Sequence, residues 1–183
     1  MTSNAATKRI ESGRRPLFRR LALAAGFFCL ALPAAPVGRA ASPPPAEKFG
    51  AWDLRCETPP GERTEQCVLT QQVRAEERGN ANLGVIILRQ KGARQGILRV
   101  VAPLNVFLLN GVSLKVDQTD IGQAPFFRCF PSGCLADSLL DDKLMGQLSG
   151  GKIATFVIYL TPFEGLRHQV KLEGVQQGYD RLR

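Results

Sequence analysis

Eight short β-branched or apolar runs, each bounded by Gly, Pro, Asn or Asp, follow one another between Phe49 and Glu173. That punctuation predicts a chain of short strands. The runs are residues 49–56, 67–73, 83–90, 97–102, 112–117, 126–129, 153–161 and 166–173. Lys91-Gly-Ala-Arg-Gln-Gly96 and Pro162-Phe-Glu-Gly165 read as hairpin connections by their glycines. Alternation is cleanest in Val112-Ser-Leu-Lys-Val-Asp117 and His168-Gln-Val-Lys-Leu-Glu173, so one face of each strand should meet solvent. The helix read from the pattern is Asp141-Asp-Lys-Leu-Met-Gly-Gln-Leu148, with acids opposing the macrodipole at its start and Leu144 one turn from Leu148. The expectation is an all-β domain: a β-sandwich or a partly closed barrel of about eight strands, with one short helix and two disulfides. Pattern alone does not separate sandwich from barrel.

Charge sharpens the picture once it is located. The chain has 183 residues and a net charge of +8, which on its face suggests a polyanionic partner. Residues 1–40, however, hold seven of the 24 basic residues (Lys8, Arg9, Arg14, Arg15, Arg19, Arg20, Arg39) and only Glu11 of the 16 acids. The remaining 17 bases and 15 acids nearly balance. Such a remainder has no electrostatic footprint for phosphate backbones, and no nucleic-acid partner is expected.

The basic segment leads into twelve apolar residues, Leu21 to Leu32, then Pro33 and a run of small residues. This order describes a secretory signal peptide, with Gly38 and Ala40 before the cut. Twelve residues fall short of the roughly 20 needed to span a bilayer, so no membrane span is expected in the mature form. Arg14-Arg15-Pro16-Leu17-Phe18-Arg19 also resembles a twin-arginine signal with Leu and Phe exchanged, which leaves the export route open. The expected organisation is a signal peptide over 1–40, a Pro-rich leader over 41–48 and a single domain over 49–183. The mature protein would be periplasmic or secreted.

Cys29 lies inside the apolar run and leaves with the signal. Cys56, Cys67, Cys129 and Cys134 remain, and an even count in an exported chain reads as disulfides with three possible connectivities. Local pairing is favoured, because Thr58-Pro-Pro-Gly-Glu-Arg63 and Phe130-Pro-Ser-Gly133 each supply a turn between two cysteines. Ten residues between Cys56 and Cys67 exceed zinc-ligand spacing, and no C-x-x-C redox pair occurs.

Chemistry is sparse. Gly146-Gln-Leu-Ser-Gly-Gly151-Lys152 matches the opening of a phosphate-binding loop. Ile153 stands where Ser or Thr should bind magnesium, and a helix precedes the loop where a strand should; a helix-ending glycine pair explains it better. His168 is the one histidine and is expected exposed on a strand, with no G-x-S-x-G serine to serve. The acid pairs Glu76-Glu77 and Asp141-Asp142 read as solvated charge, beside Arg74 and Arg78, and as a helix cap. No catalytic residue, metal or cofactor is expected. Two segments remain for interaction: the apolar run 101–112, and Phe126, Phe127, Arg128 and Phe130 beside the second cysteine pair. Core packing is the competing account of both.

Taken together, Phe49-Gly-Ala-Trp-Asp-Leu-Arg-Cys56, Cys67, Pro103-Leu-Asn-Val-Phe-Leu-Leu-Asn-Gly-Val-Ser-Leu-Lys-Val-Asp117, Arg128-Cys-Phe-Pro-Ser-Gly-Cys134 and the helix that follows resemble the invasion-associated locus B family of exported bacterial proteins. The resemblance covers nearly the whole mature chain in the right order. Asn110 stands where the pattern has Pro, a small departure since Asn-Gly also turns. What the resemblance implies is an all-β periplasmic or secreted domain with two disulfides, linked in some pathogenic members to host-cell entry, and without catalytic residues to carry over. A non-enzymatic protein with a protein partner at the envelope or the host-cell surface is therefore expected. A periplasmic structural or chaperone-like factor for outer-membrane integrity is the alternative. A hydrolase or ligand-binding barrel would require a polar pocket around His168.

Overall fold

A computed structural model describes residues 46–59, 61–76 and 81–182. The expected signal segment 1–40 with Cys29, residues 41–45 of the expected leader, and the loop residues Glu77 and Arg78 lie outside the described residues.

The local pattern of each run becomes a strand, and antiparallel pairing sorts the strands into two sheets. The larger has the order β1 (Glu47–Phe49), β2 (Trp52–Glu57), β3 (Gln66–Arg74), β4 (Asn82–Leu88), β5 (Gly96–Ala102), β9 (Gly133–Leu140) and β8 (Phe126–Phe130). The smaller has the order β11 (Glu164–Lys171), β10 (Ile153–Thr161), β6 (Val112–Val116) and β7 (Thr119–Ala124). Their inner faces pack as a sandwich-like fold. Trp52, Leu54, Leu69, Val85, Ile87, Leu98 and Val100 come from one side; Val112, Leu114, Phe156, Ile158, Leu166 and Val170 come from the other. Each such side chain contributes roughly 1.5–3 kcal/mol when fully buried.

The strand total exceeds the eight read from the sequence, for local reasons. Residues 49–56 do not run as one strand: Gly50, at φ 57°, turns the chain so that Phe49 pairs with Trp52, and Glu47 and Lys48 of the expected leader belong to β1. β7 is polar and exposed along most of its length, so it carries no apolar signal. In β9 the run is interrupted by Asp137, whose charge is answered by Arg99 on β5. A second helix also appears. Besides α1 (Asp142–Gly150), α2 (Val175–Arg181) packs Val175 and Tyr179 into the core. In α1 the Asp141 carboxylate accepts from the Leu144 N–H at 2.8 Å, capping the first turn. The Gly151 N–H donates to Gln147 O at the other end, so the glycine pair of the phosphate-loop lookalike terminates a helix.

The two flanks of the sandwich differ. On one, the free edge of β11 is tied to the larger sheet. Gln71 donates from Nε2 to Lys171 O at 2.9 Å and accepts from Lys171 N–H at 3.1 Å. Trp52 Nε1 donates to the same carbonyl at 3.0 Å, and the Glu76 N–H donates to Arg167 O. Gly50 and Gly174 make this approach possible, since a Cβ on Gly174 would strike the Phe49 carbonyl and one on Gly50 the Glu173 carbonyl. On the other flank the chain leaves the smaller sheet at Ala124, turns at Pro125 and enters the larger at Phe126. Consecutive strands β7 and β8 thus form two edges on one side. Among the described residues, neither makes a backbone hydrogen bond beyond its pairing with β6 or β9.

Candidate functional site

The second cysteine segment folds as a hairpin. Cys129 stands opposite Cys134 in the β8–β9 register, and a disulfide joins them with Cα atoms 3.9 Å apart. Cys56 faces Cys67 in the same way between β2 and β3, with Cα atoms 4.0 Å apart. Both bridges therefore close hairpins.

A β-bulge in β8 decides which aromatics are presented. Phe126 pairs with Ala136 and Arg128 with Leu135, so Phe127 is the extra residue. Phe126 turns inward and packs, half-buried, against the core, and so leaves the expected exposed group. Phe127 stays 54% exposed, and Arg128 and Phe130 are exposed as well. Arg99 of β5 holds Asp137 through two hydrogen bonds of 2.8 and 2.7 Å, with its guanidinium carbon 5.9 Å from the Phe127 ring. The hydrogen bonds to Asp137 raise the guanidinium further above its ordinary range, against the opposing effect of burial. Arg128 lies 5.6 Å from the Phe130 ring. Each cation–π contact at such exposed sites is worth about 0.5–1 kcal/mol. The result is an aromatic and cationic strip along an open edge.

The segment 101–112 divides between two roles. Ala102 and Val112 are buried and Val106 is partly so, while Leu104, Leu108 and Leu109 are exposed. The loop docks on the β10–β11 hairpin through Phe107 N–H to Tyr159 O at 2.6 Å and Asn110 Nδ2 to Pro162 O at 3.0 Å. Phe163 at that hairpin tip is 97% exposed.

His168 is not exposed. It shares parity with Leu166 and Val170, faces the core and is fully buried. Its Nε2 lies 3.0 Å from the Ala81 carbonyl, which can only accept, so that nitrogen carries the proton; Nδ1 has no hydrogen-bond partner. The period-two spacing with Val170 and Leu172 was the available signal for this burial. Among the described residues no acid is hydrogen-bonded to the ring, and a sealed imidazole meets no substrate. Glu76 is exposed and lies 3.9 Å from Arg167. Cys56, Cys67 and Glu65 bring two sulfurs and a carboxylate within 4.8 Å of one another, but the sulfurs are spent on their mutual bond. A cavity of about 110 Å³ lies between the sheets on the open flank, walled chiefly by Val100, Val112, Leu114, Ile121, Ala136 and Phe156. Among the described residues no helix is long and apolar enough to cross a membrane.

Comparison with known proteins places the molecule. A family model described as Invasion associated locus B (IalB) protein matches residues 52–183. Invasion protein B homologues of Brucella abortus strain 2308 and of Brucella abortus biovar 1 strain 9-941 are each 28% identical over 138 residues, 74% of this chain and 78% of theirs. The crystal structure of invasion associated protein B from Bartonella henselae superposes with a TM-score of 0.57 at 22% identity, covering 75% of this chain and 93% of that one. The last likeness is one of fold.

Proposed function

The chain belongs to the invasion associated locus B family, and from that premise we propose that it is an exported, non-enzymatic protein that acts by binding another protein. The observation that carries this reading is the strip of Phe127, Arg128 and Phe130 on β8, where aromatic rings and an arginine remain exposed at an edge strand. Aromatics and arginine are the residue types that anchor protein interfaces, and an open strand edge can pair with an incoming backbone. Phe126 serves instead as the inward anchor of that strand. The sealed His168 and the bonded cysteines speak against chemistry at either place.

Export is part of the proposal. A basic, apolar and small-residue segment precedes the first strand, which begins at Glu47. Cleavage after Ala40 would release the folded unit to the periplasm or beyond. N-terminal sequencing of the processed protein should read Ala-Ser-Pro from Ala41.

The binding claim is tested by placing a photo-crosslinking residue at Phe130 in living cells, with a matched one at exposed Gln169 on β11. A discrete adduct from position 130 and none from 169 is expected. Absence of any adduct at 130, in the envelope and on host cells alike, overturns the β8 reading.

A further inference from the structure

The last strand of the larger sheet is shorter than its neighbour. β8 covers β9 from Gly133 only as far as Ala136, which stands opposite Phe126; before Phe126 the chain turns at Pro125 out of the smaller sheet. β9 runs on to Leu140. Its residues Asp137, Ser138, Leu139 and Leu140 keep β5 as a partner on one side and have no strand on the other. Among the described residues, no backbone-to-backbone hydrogen bond outside the β5 ladder reaches these four. Ser138 and Leu140 share the inward parity of Ala136, whereas Leu139 points outward and is 60% exposed. The 110 Å³ cavity lies beside this uncovered stretch: Ala136 and Ser138 form its β9 wall, and the exposed Gly122 and Gln123 of β7 stand at its mouth. No charged side chain lines it.

We propose that an extended segment of a partner protein pairs with β9 along Asp137–Leu140, in line with β8, and lodges one aliphatic side chain in the cavity. Three observations select this occupant. The first is the open ladder. Alternate residues of a strand bond to opposite neighbours, so two of the four direct N–H and C=O away from β5. A peptide backbone answers both groups, which a lipid tail or a small apolar molecule does not. The second is size. The space is smaller than the roughly 150 Å³ that holds a benzene ring and far below the roughly 300–1,000 Å³ of small-molecule sites, so it suits a single aliphatic side chain. The third is that β8 already does this once. Phe126, opposite Ala136, is its inward side chain and packs half-buried against the core. Inward positions recur every second residue, so the next along the same edge stands opposite Ser138, at the cavity.

The two faces of the edge define the segment. Its inward residue meets Val100, Val112, Leu114 and Phe156 and must be uncharged, because nothing there would pair with a charge. The residues flanking it point outward beside Leu139 and the Asp137–Arg99 pair, where β-branched and polar side chains are accepted. The inference rests on the reading of the open flank as the one that meets a partner, and adds a backbone contact to the Phe127–Phe130 strip. None of the strip residues lines the cavity, so either contact can be lost and measured without the other.

A random library of displayed nine-residue peptides, selected on the processed protein and counter-selected on Val112→Ile, tests the proposal. Enriched peptides should be rich in β-branched residues with an aliphatic one at a fixed position. A synthetic representative should bind roughly tenfold or more weakly to Val112→Ile and to Ser138→Leu, both of which narrow the cavity. Ser138→Leu serves as counter-selector should Val112→Ile fail to fold, as read by circular dichroism. Methylating the alternate amide nitrogens along one edge of the peptide should abolish binding, and methylating those along the other edge should leave it. Phe163→Ser, at a residue that lines no part of the cavity, should bind as the parent does. Failure to enrich any peptide over the counter-selector overturns the proposal. So does binding indifferent to Ser138→Leu or to methylation of both edges, and so does cavity-dependent binding of octanoate with no peptide enriched, which would assign the space to an alkyl chain. A crosslinked adduct at position 130 that persists when the selection fails leaves the β8 reading standing; peptide binding without that adduct does the reverse.

Discussion

On the closed flank, β11 surrenders its free edge to Gln71 and Trp52 of the larger sheet and to Glu76 just beyond β3, and two glycines let the backbones approach. On the open flank, β7 and β8 end their sheets side by side, with a bulge, exposed aromatics and a 110 Å³ void behind them. Each flank has a disulfide hairpin near it, Cys56–Cys67 on the first and Cys129–Cys134 on the second. The contrast separates a flank tied by long-range bonds from the one proposed to meet a partner. Unpaired edges are a liability that a protein covers or uses. Here one is covered by long-range side-chain bonds, while the other keeps the exposed residue types suited to a partner.

Breaking the closed flank should have the largest effect. Trp52→Ala removes a fully buried ring together with its bond to Lys171 O, and should cost about 3–5 kcal/mol in denaturant unfolding. A loss below 1 kcal/mol would mean that this flank is not the structural one. The disulfides give the next comparison. Replacing Cys56 and Cys67 by Ala opens an 11-residue loop and should cost roughly 3 kcal/mol. The same change at Cys129 and Cys134 opens a five-residue loop and should cost roughly 2 kcal/mol. Native-state amide exchange should then rise selectively in β8, an edge strand with one neighbour; a uniform rise would erase the distinction between the flanks.

Smaller effects sharpen the contrast. Val112→Ile extends into the void on the open flank and should raise stability by about 0.8 kcal/mol, read as a higher melting temperature. A loss would show that the space is closed to a further methyl. Phe163→Ser at the exposed tip should change stability by less than about 0.5 kcal/mol, and a melting shift beyond that would give the tip a packing role.

Much of the architecture was legible because β-structure writes a local signature. The runs that became β3, β4, β5, β10 and β11 carried it, as did the glycine-marked hairpins. The polar edge strand β7 did not, since a strand with solvent on most sides has no reason to alternate. β9 was hidden by Asp137, an acid tolerated there because Arg99 faces it from a strand 38 residues away. His168 misled by residue type: imidazole reads as polar, while its parity with Val170 and Leu172 placed it inside. The β8 aromatics were located in the sequence, but which of them faces out depended on a single bulge.

The sequence by itself determined an all-β domain, its principal hairpins, the short-range partners its cysteines could reach and the membership that its motifs suggested. Alternation and turn chemistry act over a few residues, so they survive in one dimension. Tertiary structure alone decided which flank closes and which aromatics stay exposed. Gln71 and Lys171 are 100 residues apart, and Trp52 and Lys171 are 119 apart. Bonds over such distances leave no periodic trace in the chain, because they exist only once both sheets have formed and packed.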